Sequence, residues 1–202
     1  VAFRWIEATE MNSVDFSEIA ELQAMDDWKA LDKLMISRAR LLEKAGAELL
    51  MICANTMHLS VPAIEQQINI PIVHIAEVTA EKIKEAKLDQ VALLGTKFTM
   101  EKDFFKNILI DHGIEVIIPE ARDRNSIHDI IYQELVRGEI KSASKKIYLE
   151  IIADLKDRGA QGIILGCTEI PLLIAPQDTD LPLFNTTKIH AEKTVELALK
   201  AE

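Results

Sequence analysis

Cysteine is scarce in this 202-residue chain: there are two, more than a hundred positions apart. A pair so separated excludes the dense disulfide framework of a small secreted domain, and nothing else in the sequence suggests secretion. The thiols are therefore expected to be free, in a cytoplasmic protein. Neither cysteine has a C-x₂₋₄-C or second-histidine partner at structural-zinc spacing, so no metal is expected. Aromatic residues make up 5% of the chain, with 7 glycines and 6 prolines, and no segment is low in complexity, which argues against long disorder. No dense lysine or arginine cluster interrupts a formal charge of −10, which excludes a polyanion-binding surface and makes nucleic acid an improbable partner. Apolar runs fall far short of the roughly 18 to 20 residues that a membrane span needs. No secretory signal pattern opens the chain. With 49% apolar residues, the sequence is nevertheless able to bury a substantial core.

The two cysteines stand in matching contexts. Gly46-Ala47 leads through Leu49-Leu50-Met51-Ile52 to Cys53-Ala54-Asn55-Thr56, and Gly159-Ala160 leads through Ile163-Ile164-Leu165-Gly166 to Cys167-Thr168-Glu169. An echo follows each: Pro71-Ile72-Val73-His74 precedes Ala80-Glu81-Lys82, and Pro182-Leu183-Phe184-Asn185 precedes Ala191-Glu192-Lys193. Cys167 follows Cys53 by 114 residues and Pro182 follows Pro71 by 111, the mark of a diverged internal duplication in which each half contributes one thiol.

Hydrophobic periodicity predicts a helix over residues 26–45, stopped by Gly46, then a short apolar strand at Leu49–Ile52. Asn55 and Thr56 are placed to cap the next helix, whose Pro62 is tolerated in a first turn. A strand at Ile70–Ile75 and a helix at Val78–Ala86 follow, then a strand at 91–96, with Thr99 and Met100 opening a helix that carries Phe104, Phe105, Ile108 and Leu109. Further expectations are a strand at Glu115–Ile118, a helix capped by Asn125 or Ser126 and reaching Val136, a helix from Ser142 to Arg158, strands at 163–165 and 183–184, and a terminal helix from Ile189 to Leu199. Strands and helices in this alternation give an α/β fold with parallel sheets, built as two similar lobes. Residues 1–88 with 182–202 are expected to form one lobe, and 89–181 the other. Function in such sheets gathers at the carboxyl ends of strands, where Cys53, Thr96, Cys167 and Asn185 fall. Trp5 and Trp28 are read as packing residues, and residues 1–10 show no strand followed by a glycine-rich turn.

From about Asn12 onward the chain resembles the aspartate/glutamate racemase superfamily, and more closely its broad-specificity amino-acid racemase branch. The resemblance is carried by Ser13-Val14-Asp15-Phe16, Cys53-Ala54-Asn55-Thr56-Met57-His58, Leu94-Gly95-Thr96 with Thr99-Met100, Ile131-Tyr132-Gln133-Glu134-Leu135, Gly166-Cys167-Thr168-Glu169-Ile170-Pro171 and Thr186-Thr187-Lys188-Ile189-His190-Ala191. It implies two α/β lobes with the active site in the cleft between them, no pyridoxal phosphate or other cofactor, and a homodimer acting on a small-molecule amino acid. Cys53 and Cys167 would remove and return the α-proton on opposite faces. Asn55, Thr56 and Thr168 would hold the substrate's carboxylate and amino groups, Thr96 would line the same site, and Glu169 and His190 would be polar partners of the second cysteine. Thiolate formation needs a lowered pKa, which a helix start after each cysteine could supply. Thr96 and Thr99 are also plain candidates for helix caps.

The sequence departs from the family pattern at Ala54, where threonine is common, and at Asn185, where aspartate is common. Residues 13–27 contain no lysine or arginine to hold a side-chain carboxylate, so a small or neutral amino acid is the expected substrate rather than aspartate. Rival functions are an aspartate racemase, a superfamily isomerase such as maleate isomerase, and a catalytically inactive amino-acid-binding protein.

Overall fold

The computed structural model describes residues 9–200; Trp5 and most of the segment expected to lack an opening strand lie outside the described residues. The chain divides into two compact units. The first is described over residues 9–52, 57–74 and 193–200, and the second comprises 53–56 and 75–192.

In the first unit, α1 (Phe16–Ala24) and α2 (Trp28–Lys44) are separated by a turn in which Asp26 takes a positive φ of 54°. Aspartates start both helices: Asp15 accepts from the Ser17 N–H at 2.8 Å, and Asp27 from the Ala30 N–H at 3.0 Å. Two short parallel strands follow, β1 (Leu50–Met51) and β2 (Ile72–Val73), paired Leu50 to Ile72 and Met51 to Val73. Between them the chain runs through a 3₁₀ segment, Thr56–Ser60, and α3 (Val61–Glu65), with Pro62 in the first turn as expected. Glu43 on α2 clamps the approach to β2 by accepting from the Asn69 backbone N–H at 2.6 Å.

The second unit holds a four-stranded parallel sheet in the order β4-β3-β5-β6: β3 is Gln90–Gly95, β4 Glu115–Ile117, β5 Ile163–Gly166 and β6 Leu183–Asn185. Its helices are α4 (Ile75–Glu85), α5 (Lys97–Glu101), α6 (Asp103–Asp111), α7 (Ala121–Gln133), α8 (Ser142–Asp157), α9 (Ile170–Leu173) and the first half of α10 (Thr186–Lys200). Side chains alternate across the strands, so each face builds its own core. Ala92, Leu94, Ile163 and Leu165 pack with α7 and α8, whereas Val91, Leu93, Ile164 and Phe184 pack with α4 and α6. Burial on both faces explains why β3 and β5 read as continuous apolar runs.

Strand order reverses direction between β3 and β5, and Gly95 pairs directly with Gly166 at their carboxyl ends. A ligand site is favoured at such a switch point. The parallel step from β5 to β6 repeats that from β1 to β2, in keeping with the duplication.

Several boundaries differ from the sequence expectations. Residues 75–88 and 182–192 group with the second unit, because α4 packs under the sheet and β6 hydrogen-bonds to β5. α1 is a helix that the periodicity does not predict; the capping-box pattern Asp15-x-x-Glu18 is the sequence signal for it. The helix after Thr96 is broken at Lys102, whose ψ of 153° leaves the helical region and separates α5 from α6. α7 begins at Ala121, and Ser126 bonds back to the Arg122 carbonyl inside it at 3.2 Å instead of capping it.

Packing is tight at the paired glycines. A Cβ on Gly166 would stand 2.7 Å from the Leu94 carbonyl oxygen, and one on Gly95 2.9 Å from the Gly166 carbonyl oxygen. Backbone atoms in a central strand have little room to yield. Gly166→Ala should destabilise the protein by about 1–3 kcal/mol, the usual cost of overpacking, as read from the urea midpoint. Leu172→Ala, at a side chain 59% exposed, should stay within about 0.5 kcal/mol of the parent.

Candidate active site

Gly95 and Gly166 deliver Thr96 and Cys167 to the ends of neighbouring strands. Thr96 caps α5, its Oγ1 accepting from the Thr99 N–H at 3.3 Å. The same hydroxyl lies 2.9 Å from Thr56 Oγ1 and 3.2 Å from Thr99 Oγ1, and Thr56 Oγ1 lies 3.2 Å from Thr99 Oγ1. Three buried hydroxyls thus form a closed triangle. Thr56 comes from the short excursion 53–56, which this triangle helps bind to the second unit.

Asn55 completes that attachment. Its Nδ2 donates to Thr186 Oγ1 at 3.1 Å, and Thr186 donates in turn to the Leu165 carbonyl of β5 at 2.9 Å. With the Thr186 proton committed to Leu165, only the amide nitrogen of Asn55 can face that hydroxyl, which fixes the side chain's orientation. Its Oδ1 is then left buried with no protein donor. A desolvated acceptor of this kind costs about 1–3 kcal/mol if it stays unmet. It is therefore suited to a ligand's N–H.

Cys167 is buried, and its thiol donates to Glu169 Oε2 at 2.9 Å. Burial pushes the thiol pKa far up; the negative charge of Glu169 and its acceptance of the thiol proton push it further. The backbone N–H groups of Thr168 and Glu169 pull the other way without prevailing. The expected lowering by a helix start is not met at this thiol, because α9 spans only four residues and desolvation dominates. Cys167 accordingly rests as a neutral donor. Cys53 is exposed, and both cysteines are free thiols.

The remaining residues named from sequence fall as follows. Thr168 and Glu169 are half-buried on the turn after β5. His190 is buried on α10, one turn beyond Thr186 and on the same helix face. Asn185 caps α10, its Oδ1 accepting from the Lys188 N–H at 3.1 Å. Thr99, read as a possible cap, is instead a member of the hydroxyl triangle. Among the described residues no three His, Cys, Asp or Glu side chains converge as metal ligands, and no helix is long and apolar enough to cross a membrane.

Sequence reasoning missed three residues beside the site. Thr186 stood in a quoted motif without a role. Burial foremost, and then the proximity of the ionisable groups of Cys167 and Glu169, pushes the Tyr132 phenol up to about 12. Tyr148, wholly buried, has its pKa raised well above the ordinary value, mainly by burial. Tyr132 stacks on His128, with ring centres 4.6 Å apart, and His128 Nδ1 accepts from the Lys97 N–H at 3.3 Å. That bond requires a neutral imidazole, in accord with the downward pull of burial on its pKa. Position on α7 gives no sequence signal for these contacts; they need the sheet.

Comparison with known proteins agrees with the geometry. The sequence model of the Asp/Glu/Hydantoin racemase family matches residues 6–194. The broad specificity amino-acid racemase RacX of Bacillus subtilis (strain 168) is 26% identical over 86% of this chain and 74% of its own length. A candidate Asp/Glu racemase from Yersinia pestis superposes with a TM-score of 0.85 at 46% identity, covering 93% of this chain and 82% of that one. An aspartate racemase homologue from Pyrococcus horikoshii OT3 superposes with a TM-score of 0.79 at 37% identity, covering 93% and 81%. This chain, with its thiol, amide and hydroxyls gathered at the carboxyl ends of a parallel sheet, belongs to the Asp/Glu/Hydantoin racemase family.

Proposed function

We propose that the protein is a cofactor-independent amino-acid racemase that uses Cys53 and Cys167 as opposed acid and base on a small or neutral amino acid. The observation that carries this reading is the Cys167–Glu169 pair, a neutral thiol already donating to a carboxylate at the switch point of the sheet. An acid whose proton is poised for transfer is what the second half of a two-base racemisation requires. Cys53, exposed at the end of the first repeat, supplies the base.

In this mechanism the Cys53 thiolate takes the α-proton and leaves a planar carbanion whose charge spreads into the substrate carboxylate. We assign the neighbouring Thr56 and Thr96 hydroxyls as donors to that carboxylate and Asn55 Oδ1, which has no protein donor, as acceptor from the amino group. Cys167 then gives its proton to the opposite face and becomes the thiolate. For the reverse direction Cys167 must first lose its proton, and Glu169 is the acceptor at hand, becoming a carboxylic acid beside the thiolate so that two negative charges do not share one buried site. Tyr132 and Tyr148 stay neutral phenols throughout.

The neutral side-chain preference rests on the absence of lysine and arginine from residues 13–27, which form α1 and its flanks. Likeness to the Pyrococcus aspartate racemase homologue favours aspartate as a second reading. Chiral chromatography of the purified protein with all common amino acids decides between them, and the absence of racemisation with every one would end both readings.

Two expectations follow from the roles of the thiols. Cys53→Ser and Cys167→Ser should each lower racemisation by about 10²-fold or more, the usual worth of a positioned acid or base. In D₂O each single variant should retain at most slow α-hydrogen exchange of one enantiomer without inversion. A single variant racemising near the parental rate would sink the two-base assignment. In a Cys53→Ser background, Glu169→Gln should shift the pH midpoint of Cys167 alkylation by iodoacetamide downward, because a negative neighbour that raises the thiol pKa is gone. Burial keeps the midpoint above that of a free cysteine, about 8.5. An unchanged or higher midpoint would remove Glu169 from control of this thiol.

A further inference from the structure

The hydroxyl triangle of Thr56, Thr96 and Thr99 has three O–H protons for three O···O edges of 2.9, 3.2 and 3.2 Å, so it can close on itself with every proton used. Its members are not equivalent. Thr99 is wholly enclosed at 0% exposure, whereas Thr56 and Thr96 keep 8% and 6%. The Thr99 proton therefore has only its two ring neighbours to go to, while the other two hydroxyls retain an outlet at the strand end. Thr96 also accepts the Thr99 backbone N–H. When Thr99 donates to Thr96, both lone pairs of the Thr96 oxygen are engaged, and its own proton is available to Thr56. The Thr56 proton is then the one free to turn outward. When Thr99 donates to Thr56, the same accounting turns the Thr96 proton outward.

Building on the racemase reading, we infer that Thr99 is a positioning residue that sets the direction of this hydroxyl chain, so that one O–H is aimed at a ligand carboxylate without Thr99 itself touching the ligand. An anion at Thr56 or Thr96 opens one edge of the ring and leaves a chain of two aligned hydrogen bonds behind the donating hydroxyl. Each bond in such a chain polarises the next, which strengthens the terminal one. Without the Thr99 hydroxyl, Thr56 and Thr96 share one edge with no donor behind it, and nothing holds the outward orientation.

The hydroxyl has to be separated from the methyl. Thr99 Cβ and Cγ2 lie against the backbone of Gly95 and Gly166, close enough that a Cβ on Gly95 would be 3.1 Å from the first and 3.2 Å from the second. Thr99→Val keeps that packing and removes the hydroxyl, whereas Thr99→Ser keeps the hydroxyl and removes the methyl. The probes are both enantiomers of alanine, serine, aspartate and glutamate, followed by titration calorimetry and by racemisation. Thr99→Val should weaken binding and raise KM about tenfold, the usual weight of one hydrogen bond to a charged group, with kcat within about twofold of the parent. Thr99→Ser should bring both back to within about threefold. Should the valine variant not fold, Thr99→Ala against Thr99→Ser reads the same hydroxyl.

Parental affinity in Thr99→Val, or equal loss in the serine and valine variants, would overturn the inference, the second result assigning Thr99 to packing alone. Binding that responds to the hydroxyl without racemisation by any variant would uphold the inference and end the racemase reading. Racemisation untouched by Thr99→Val would do the reverse, and no binding of any probe by the parent would end both.

Discussion

Two glycines laid side by side at the carboxyl ends of β3 and β5 are the constraint on which the candidate site depends. The register pairs Gly95 with Gly166, and neither position has room for a Cβ beside the neighbouring carbonyl oxygen. Hydrogen atoms there let Thr99 lie over both strands. The residue that follows each glycine, Thr96 or Cys167, leaves the sheet at the point where strand order reverses. A parallel sheet supplies the crevice through topology, but the absence of two side chains supplies its depth.

A second theme is the state in which the buried thiol is kept. Cysteine chemistry is usually associated with thiolate stabilised by a cation or a helix start. Around Cys167 the balance runs the other way, since burial and an adjacent carboxylate both favour the protonated form. Neutral phenols from Tyr132 and Tyr148 add no charge to offset this. Among the described residues the surroundings are those of a proton donor, and the carboxylate that holds the thiol neutral is also the group able to take its proton. In the proposed mechanism the same pair serves as a lock and as an exit, the choice between them set by the charge that develops on the substrate.

Much of this organisation was legible because it is local or periodic. The apolar runs of β3 and β5, the glycines before Thr96 and Cys167, and the recurrence of one strand-to-cysteine pattern are written in consecutive residues. α1 was not read because it buries only Ile19 and Gln23, too little to show a periodic stripe, although Asp15 and Glu18 mark its start. Unit boundaries were displaced by α4 at one border and by β6 with the start of α10 at the other, because the grouping of α4 and β6 rests on pairing and packing with distant segments. Hydroxyl-bearing residues posed the deepest ambiguity. A threonine after a glycine is equally suited to capping a helix and to meeting a ligand, and Thr96 does the first while lying where it can do the second. Only distances distinguish Thr99 from an ordinary first-turn residue.

The four-residue excursion from Cys53 to Thr56 has a consequence for how the protein becomes competent. Asn55 and Thr186 bond across 131 residues of sequence, and Thr56 reaches Thr96 across 40, so the binding groups are assembled from the most distant segments of the second unit. Contacts with such long loops are costly in chain entropy and form after local ones. The sheet and its helices can therefore be in place while the carboxyl ends of β3, β5 and β6 still lack the amide and hydroxyl that the excursion carries. The Asn55–Thr186 bond is thus among the last knots tied in the chain, and a nascent polypeptide can form it only after β6 and the start of α10 have been made.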